Sequence, residues 1–154
     1  PVTLLLFQSG GLDGEKNSER AKLVEFLIKE GVDVNATDIE GVTALWYCAQ
    51  NGQPDLCKML VERGADPRVT RKTDGANALH IASKKRKIDV CRYLVEDCGL
   101  YVNVKASDDY PATPLYLAAG GGYLEVCKYL LGKGAKVDKG TQPLLYAAQV
   151  FSYF

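Results

Sequence analysis

Apolar positions recur along the chain with a helical period, and the period restarts several times. Leu56, Met59 and Leu60 fall at i, i+3 and i+4; Val90, Tyr93 and Leu94 repeat the spacing, and Val126, Tyr129 and Leu130 repeat it again. That spacing lays one apolar stripe along a helix. A shorter apolar segment precedes each stripe and carries small residues side by side: Cys48-Ala49, Ala82-Ser83, Ala118-Ala119 and Ala147-Ala148. Small side chains let neighbouring helices approach closely. The short segments end on glycine or polar pairs. The longer ones stop at Gly31, Gly64 and Gly134, as a helix C-terminus favours. Turn-prone residues such as Asp38-Ile39-Glu40-Gly41 follow. The pattern predicts helix pairs joined by projecting turns, here called fingers.

The pairs are copies of one another. LCKMLVERGADP (56–67), VCRYLVEDCG (90–99) and VCKYLLGKGAKVD (126–138) align with Cys57, Cys91 and Cys127 in register, 34 and 36 residues apart. LVEFLIKEGVDVN (23–35) places Val24 at that position, 33 residues before Cys57. TALWYCAQNG (43–52), NALHIASKKR (77–86) and TPLYLAAGGG (113–122) form the preceding set, extended by QPLLYAAQ (142–149) and, in degenerate form, by TLLLFQS (3–9). Self-similarity near this period marks a stacked helical array, in which one pair cannot bury both its faces and neighbours supply the core.

These residues resemble the ankyrin repeat, whose pattern runs D-x-x-G-x-T-P-L-H-x-A-A, a turn, then E-V-V-x-L-L-L-x-x-G-A-D-V-N. The second unit shows Asp38, Gly41, Thr43, Leu45, Ala49, Gly52, Leu60, Gly64, Ala65 and Asp66; the fourth shows Thr113-Pro114-Leu115 and Ala118-Ala119. The resemblance covers nearly the whole chain. It implies an all-α solenoid of about four and a half stacked helix pairs with β-hairpin fingers. The units are a degenerate first repeat with an inter-helix insertion (1–37), a second (38–70), a basic third (71–107), a fourth (108–140) and a partial terminal one (141–154). It further implies a concave face of fingers and inner helices that binds other proteins, and repeats that are rarely catalytic.

Departures from the pattern are individual. About seven extra residues separate the first unit's helices. Asn77 stands for the usual Thr, and Arg86 for the glycine of the inter-helix turn; a left-handed backbone at Arg86 would cost roughly 1–2 kcal/mol. The third finger, Val104 to Pro111, is about two residues long of the pattern, and the finger after Val137 about four short. Trp46 and Tyr116 occupy the histidine position that only His80 keeps. The last residues, Gln149 to Phe154, are apolar where a terminal repeat should be polar, so the chain is expected to be a segment of a longer one.

Composition narrows the function classes. Of 154 residues, 47% are hydrophobic and 25% charged, as in one soluble domain, and no apolar run suits a membrane span. PVTLLLF has neither a basic n-region nor a small-residue cleavage site, which argues against a signal peptide. Five cysteines, no CxxC pair and one histidine argue against a disulfide framework or zinc, and favour a reducing setting, cytosol or nucleus. Net charge is zero but uneven: residues 67–92 hold eight Lys/Arg against Asp74 and Asp89, while residues 1–66 hold six against eleven acidic.

Several stretches invite sharper readings. SGGLDG (9–14) is one residue short of the SGGxDS signature of PP-loop ATP pyrophosphatases. That fold needs a parallel sheet, Gly14 replaces the closing Ser, and no Walker A spacing precedes Lys16, so the stretch reads as an inter-helix loop with Asn17 or Ser18 capping the next helix, Ala21–Lys29. No cofactor is implied. Cys48 and His80 could be paired as nucleophile and base, but both fall on inner helices and read as packing residues; Cys98, in a loop, is the thiol expected to label. Lys84-Lys85-Arg86-Lys87 reads as an import signal, a nucleic-acid contact or a dock for an acidic peptide. Duplex recognition would need a wider basic face, so an acidic protein partner is preferred and nucleic acid is not expected. Leu27 to Ala36 matches an L-x-x-x-x-x-D-V-N-A pattern shared by ankyrin domains modified by the asparaginyl hydroxylase of the hypoxia pathway, which would make Asn35 the target. By family position, contact residues are expected at Ile39, Glu40, Val42, Gln50 and Asn51, at Thr73, Asp74, Ala76, Lys84 and Lys85, and at Asp109, Tyr110 and Ala112. Lys84 and Lys85 would steer by charge, and Tyr110 would anchor. The rival readings are a regulatory or targeting segment of a larger enzyme or channel, and a nucleotide-binding enzyme.

Overall fold

The computed structural model describes residues 14–109 and 111–137. Seven helices fill them: α1 (Gly14–Lys29), α2 (Ala44–Asn51), α3 (Pro54–Glu62), α4 (Ala78–Lys84), α5 (Ile88–Glu96), α6 (Pro114–Gly120) and α7 (Leu124–Gly132). They form an ankyrin-type solenoid. The inner helices α2, α4 and α6 lie side by side, and each packs on its own outer helix, α3, α5 or α7. The outer helices also contact one another in order, α3 on α5 and α5 on α7.

Local chemistry sets each element. Thr43 and Thr113 cap α2 and α6, their hydroxyls accepting from the N–H groups of Trp46 (3.3 Å) and Tyr116 (3.2 Å). Asn77 caps α4 and forms a capping box with His80. Past the outer helices, Gly31, Gly64 and Gly134 take φ of 89°, 93° and 87°, as their positions anticipated. The core is the row of small and aliphatic residues between layers: Leu45, Cys48, Ala49, Leu60, Leu79, Ala82, Val90, Leu94, Ala118 and Leu130 are all buried. Cys57 and Cys91 are fully buried, and Val24 of α1 takes the same role at 5% exposure.

Four sequence expectations change. Helix α1 begins at Gly14, so Asn17 and Ser18 lie inside a helix rather than at its cap, and the insertion contributes helical turns beyond Ala21–Lys29. Residues 15–20 are mostly charged residues of good helix propensity, which continue the helix N-terminally at little cost. The rest of SGGLDG, like LLLFQ and 141–154, lies outside the described residues. Second, the fingers are closed turns without regular strand among the described residues. Asp38 N–H donates to the Val42 carbonyl (3.1 Å), Arg71 N–H to that of Ala76 (2.9 Å) and Ala106 N–H to that of Ala112 (3.0 Å). One or two backbone bonds within each finger are too short a ladder to make a hairpin of strands. Third, the register shared with Cys57 and Cys91 leads one to expect a core-facing Cys127, yet it is only half-buried, because nothing described packs beyond the last outer helix. Fourth, Cys98 is equally half-buried, so it is not distinguished from Cys127 by exposure.

At the inter-helix turns, Gly52 and Gly122 take φ of 75° and 71°, and Arg86 takes 60° at the same place. The third unit therefore keeps the left-handed turn despite its side chain. Gly75, at the second finger, has φ of 71°, and a Cβ there would sit 1.8 Å from the Ala106 carbonyl oxygen. The longer third finger lies directly on it.

Candidate functional site on the fingers and inner helices

Fingers and inner helices share one face. The Tyr47 hydroxyl on α2 donates to Asp38 Oδ2 in the first finger at 3.2 Å. Burial and this bond to a carboxylate both hold the Tyr47 pKa above its usual value. Asp38 also shapes its own finger, Oδ1 accepting from the N–H groups of Glu40 and Val42 at 2.9 Å each. The fingers are linked: Lys72 N–H donates to the Glu40 carbonyl at 2.8 Å. In the second finger Arg71 grips Asp74 with two parallel bonds, Nε to Oδ1 at 3.0 Å and Nη2 to Oδ2. The guanidinium holds the Asp74 carboxyl below its ordinary range, and the carboxylate holds Arg71 above its own. The same guanidinium lies 5.2 Å from the Trp46 ring centre, so one arginine ties the second finger to the inner helix of the preceding unit.

The expected contact residues separate into two groups. Ile39, at 94% exposure, presents its side chain outward, and Glu40, Thr73, Lys84, Lys85 and Asp109 are exposed with it. Gln50, Asn51 and Asp74 are half-buried. Val42, Ala76 and Ala112 are 4%, 6% and 4% exposed. Their peptide groups close the fingers, which turns their side chains inward and leaves them supporting the fingertips rather than offering surface. Tyr110 lies outside the described residues. The sequence reading missed Arg71 and Tyr47 as organisers of this face. The signals were available: an Arg-x-x-Asp pair within one finger, and a tyrosine one residue past the histidine position.

Lys84 and Lys85 stand at the C-terminal end of α4 and make no salt bridge among the described residues, although the Asp74 carboxylate feels the Lys84 charge. Asn35 is half-buried and both ends of its amide are used: Nδ2 donates to the Gly64 carbonyl (2.9 Å) and Oδ1 accepts from Asp66 N–H (2.8 Å).

Cys48 and His80 are packing groups. Burial pushes the Cys48 thiol well above its normal range, and its sulfur is hydrogen-bonded with Cys57, so the nucleophilic thiolate is disfavoured. His80 is fully buried, with Nδ1 accepting from Asn77 N–H at 3.2 Å and Nε2 donating to the Ala112 carbonyl at 3.1 Å. Burial lowers its pKa to about 4. Among the described residues no His, Cys, Asp and Glu gather closely enough to hold a metal ion, and no helix is long and apolar enough to cross a membrane.

Residues 15–108 match the family model for ankyrin repeats in three copies, and residues 112–142 match the single ankyrin repeat. This chain belongs to the ankyrin-repeat family. Ankyrin repeats are protein-interaction modules. Among curated proteins, alpha-latrocrustotoxin-Lt1a of Latrodectus tredecimguttatus is 32% identical over 82% of this ankyrin chain, which spans 9% of that protein. Protein lin-12 of Caenorhabditis elegans is 34% identical over 87% of the chain, which spans 11% of it. A poly [ADP-ribose] polymerase tankyrase from the same worm is 32% identical over 75% of the chain, which spans 6% of it. These repeats therefore correspond to about a tenth or less of each of those relatives.

Proposed function

We propose that the chain is a non-catalytic module that captures an acidic segment of a partner protein across the fingertips and inner-helix ends. The observation that carries this reading is the exposed Lys84-Lys85 pair at the end of α4, with no ion pair among the described residues. Exposed lysines on a rigid helix end attract carboxylates and raise association rates. Fingertip Ile39, at 94% exposure, adds an apolar contact held by the Asp38 turn. The working compartment is cytosolic or nuclear, a reading supported by five unpaired cysteines.

Changing both Lys84 and Lys85 to Glu should reduce partner capture from native lysate by about tenfold, with an unchanged melting temperature. Quantitative mass spectrometry of the captured proteins reads the first, and calorimetry the second. Equal capture by wild type and variant would remove the basic pair from the site.

A second reading is favoured by the share of the relatives that the repeats span. Those relatives include a tankyrase and a transient receptor potential cation channel homolog, the chain covering 6% and 11% of them. In this reading the same face packs against another part of the chain's own protein and regulates or targets it. A flanking segment that competes with the lysate partner for the Lys84-Lys85 face would favour it.

A further inference from the structure

We propose a second docking site at the inter-helix turn edge beside Arg86, whose occupant is an acidic segment of a partner protein carrying a large apolar side chain. The site is an open groove of about 640 Å³ between the third and fourth units. Arg86 forms one side; half-buried Ile88 contributes apolar surface at the floor, and Tyr123 and Leu124 form the opposite wall. Leu124 is 62% exposed, whereas Ile88 at the same place in the preceding unit is half-buried. The Tyr123 ring is folded over Gly121 so closely that a Cβ there would stand 2.3 Å from it. The missing side chain at Gly121 thus lets the ring form the wall.

Charge selects the occupant. Arg86, the one cation lining the groove, makes no ion pair among the described residues. Glu125 on the rim is engaged by Lys128 at 2.9 Å, so it does not neutralise Arg86. Lys87 lies the other way, across Gly52 of the preceding turn. The backbone adds an independent observation. Arg86 holds φ of 60° where the sister turns use glycine, although its exposed side chain contributes nothing to the core. Strain kept at an exposed position that packing does not require points to a recognition role. A guanidinium on the rim suits a carboxylate, and the apolar wall beside it suits a phenylalanine, leucine or tryptophan. This site is separate from the finger face, because it rests on Arg86 and Leu124 and needs neither Ile39 nor the Lys84-Lys85 pair.

The test is selection of random dodecapeptides displayed on phage against the wild-type chain, followed by anisotropy titration of a labelled selected peptide. The expected peptides carry two or more carboxylates beside a large apolar residue. Their affinity should fall about tenfold in Arg86→Gly and in Leu124→Asp, and stay unchanged in Ile39→Asp. Arg86→Gly should melt at the same temperature as wild type or higher, since it relieves the left-handed arginine, so its loss of binding cannot come from unfolding. Peptides without acidic bias, peptides indifferent to Arg86→Gly, peptides that follow Ile39→Asp instead, or no enrichment would each overturn the proposal. Tighter binding of a single-stranded RNA oligomer than of any selected peptide would overturn it as well.

Discussion

At the scale of single residues, His80 shows how a repeat position becomes a structural fastener. Its ring closes the capping box of α4 and reaches the base of the third finger, so one neutral imidazole joins an inner helix to the next unit. The neutral form is favoured because burial excludes the water that would solvate the cation, and its pKa falls from 6.5 to about 4. Between those values the unfolded chain binds a proton that the folded chain refuses. The stabilisation is therefore full above pH 6.5 and is lost as pH falls toward 4, by on the order of 3 kcal/mol. Urea denaturation at stepped pH should show this slope in wild type and a flatter one over the same window in His80→Gln. The acid-side losses from Asp74, Glu25 and Glu96, whose carboxyls sit below their ordinary values because of arginine and lysine partners, fall lower still. Arg86 is the contrary case: a side chain that strains its turn and stays exposed.

At the scale of elements, polar staples between successive loops are unevenly distributed. Asn35 ties the loop after α1 to the loop after α3, and Asn103 repeats the arrangement from the loop after α5, donating to the Gly134 carbonyl at 3.0 Å and accepting from Lys136 N–H at 2.7 Å. The matching position between them is Arg68, which turns back to Asp66 in its own loop at 3.9 Å. At that junction Trp46 also replaces the histidine, and its buried indole N–H finds no acceptor among the described residues. The stacked Arg71 and the Lys72–Glu40 bond join those units instead. Asn103→Ala should cost about 1 kcal/mol, because two loop bonds pass to water, whereas Arg68→Ala should stay within about 0.5 kcal/mol. Midpoints of chemical denaturation distinguish the two.

At the scale of the whole molecule, stability is shared between neighbours. Each inner helix is buried by the next, so damage should remain local before it becomes global. Leu115 on α6 is 3% exposed, and Leu115→Ala should cost about 3 kcal/mol. Hydrogen exchange should accelerate first in α6 and α7 and least in α2 and α3; uniform acceleration would show a single cooperative block instead. Charge is also a whole-molecule property: an acidic first half beside a basic third unit gives the neutral chain a directional field along its stack.

The sequence by itself determined the class, the inner and outer layers and the glycine stops after the outer helices. These follow from local periodicity and from residues whose role is set within one turn, as that of Gly64 is. It also located the basic turn and the exposed fingertips, because charge and turn chemistry are read position by position. What it could not determine depends on where two distant segments meet. The N-terminal turns of α1 belong to a helix whose glycines suggested a loop. Val42, Ala76 and Ala112 look like surface by position, yet the closing bonds of their fingers turn them inward. The pairing of Arg71 with both Asp74 and Trp46, and the groove between Arg86 and Leu124, arise only when one unit is laid against the next. A repeat pattern specifies each unit and its register; the surface between units is decided by stacking, which brings together residues that no spacing in the chain connects.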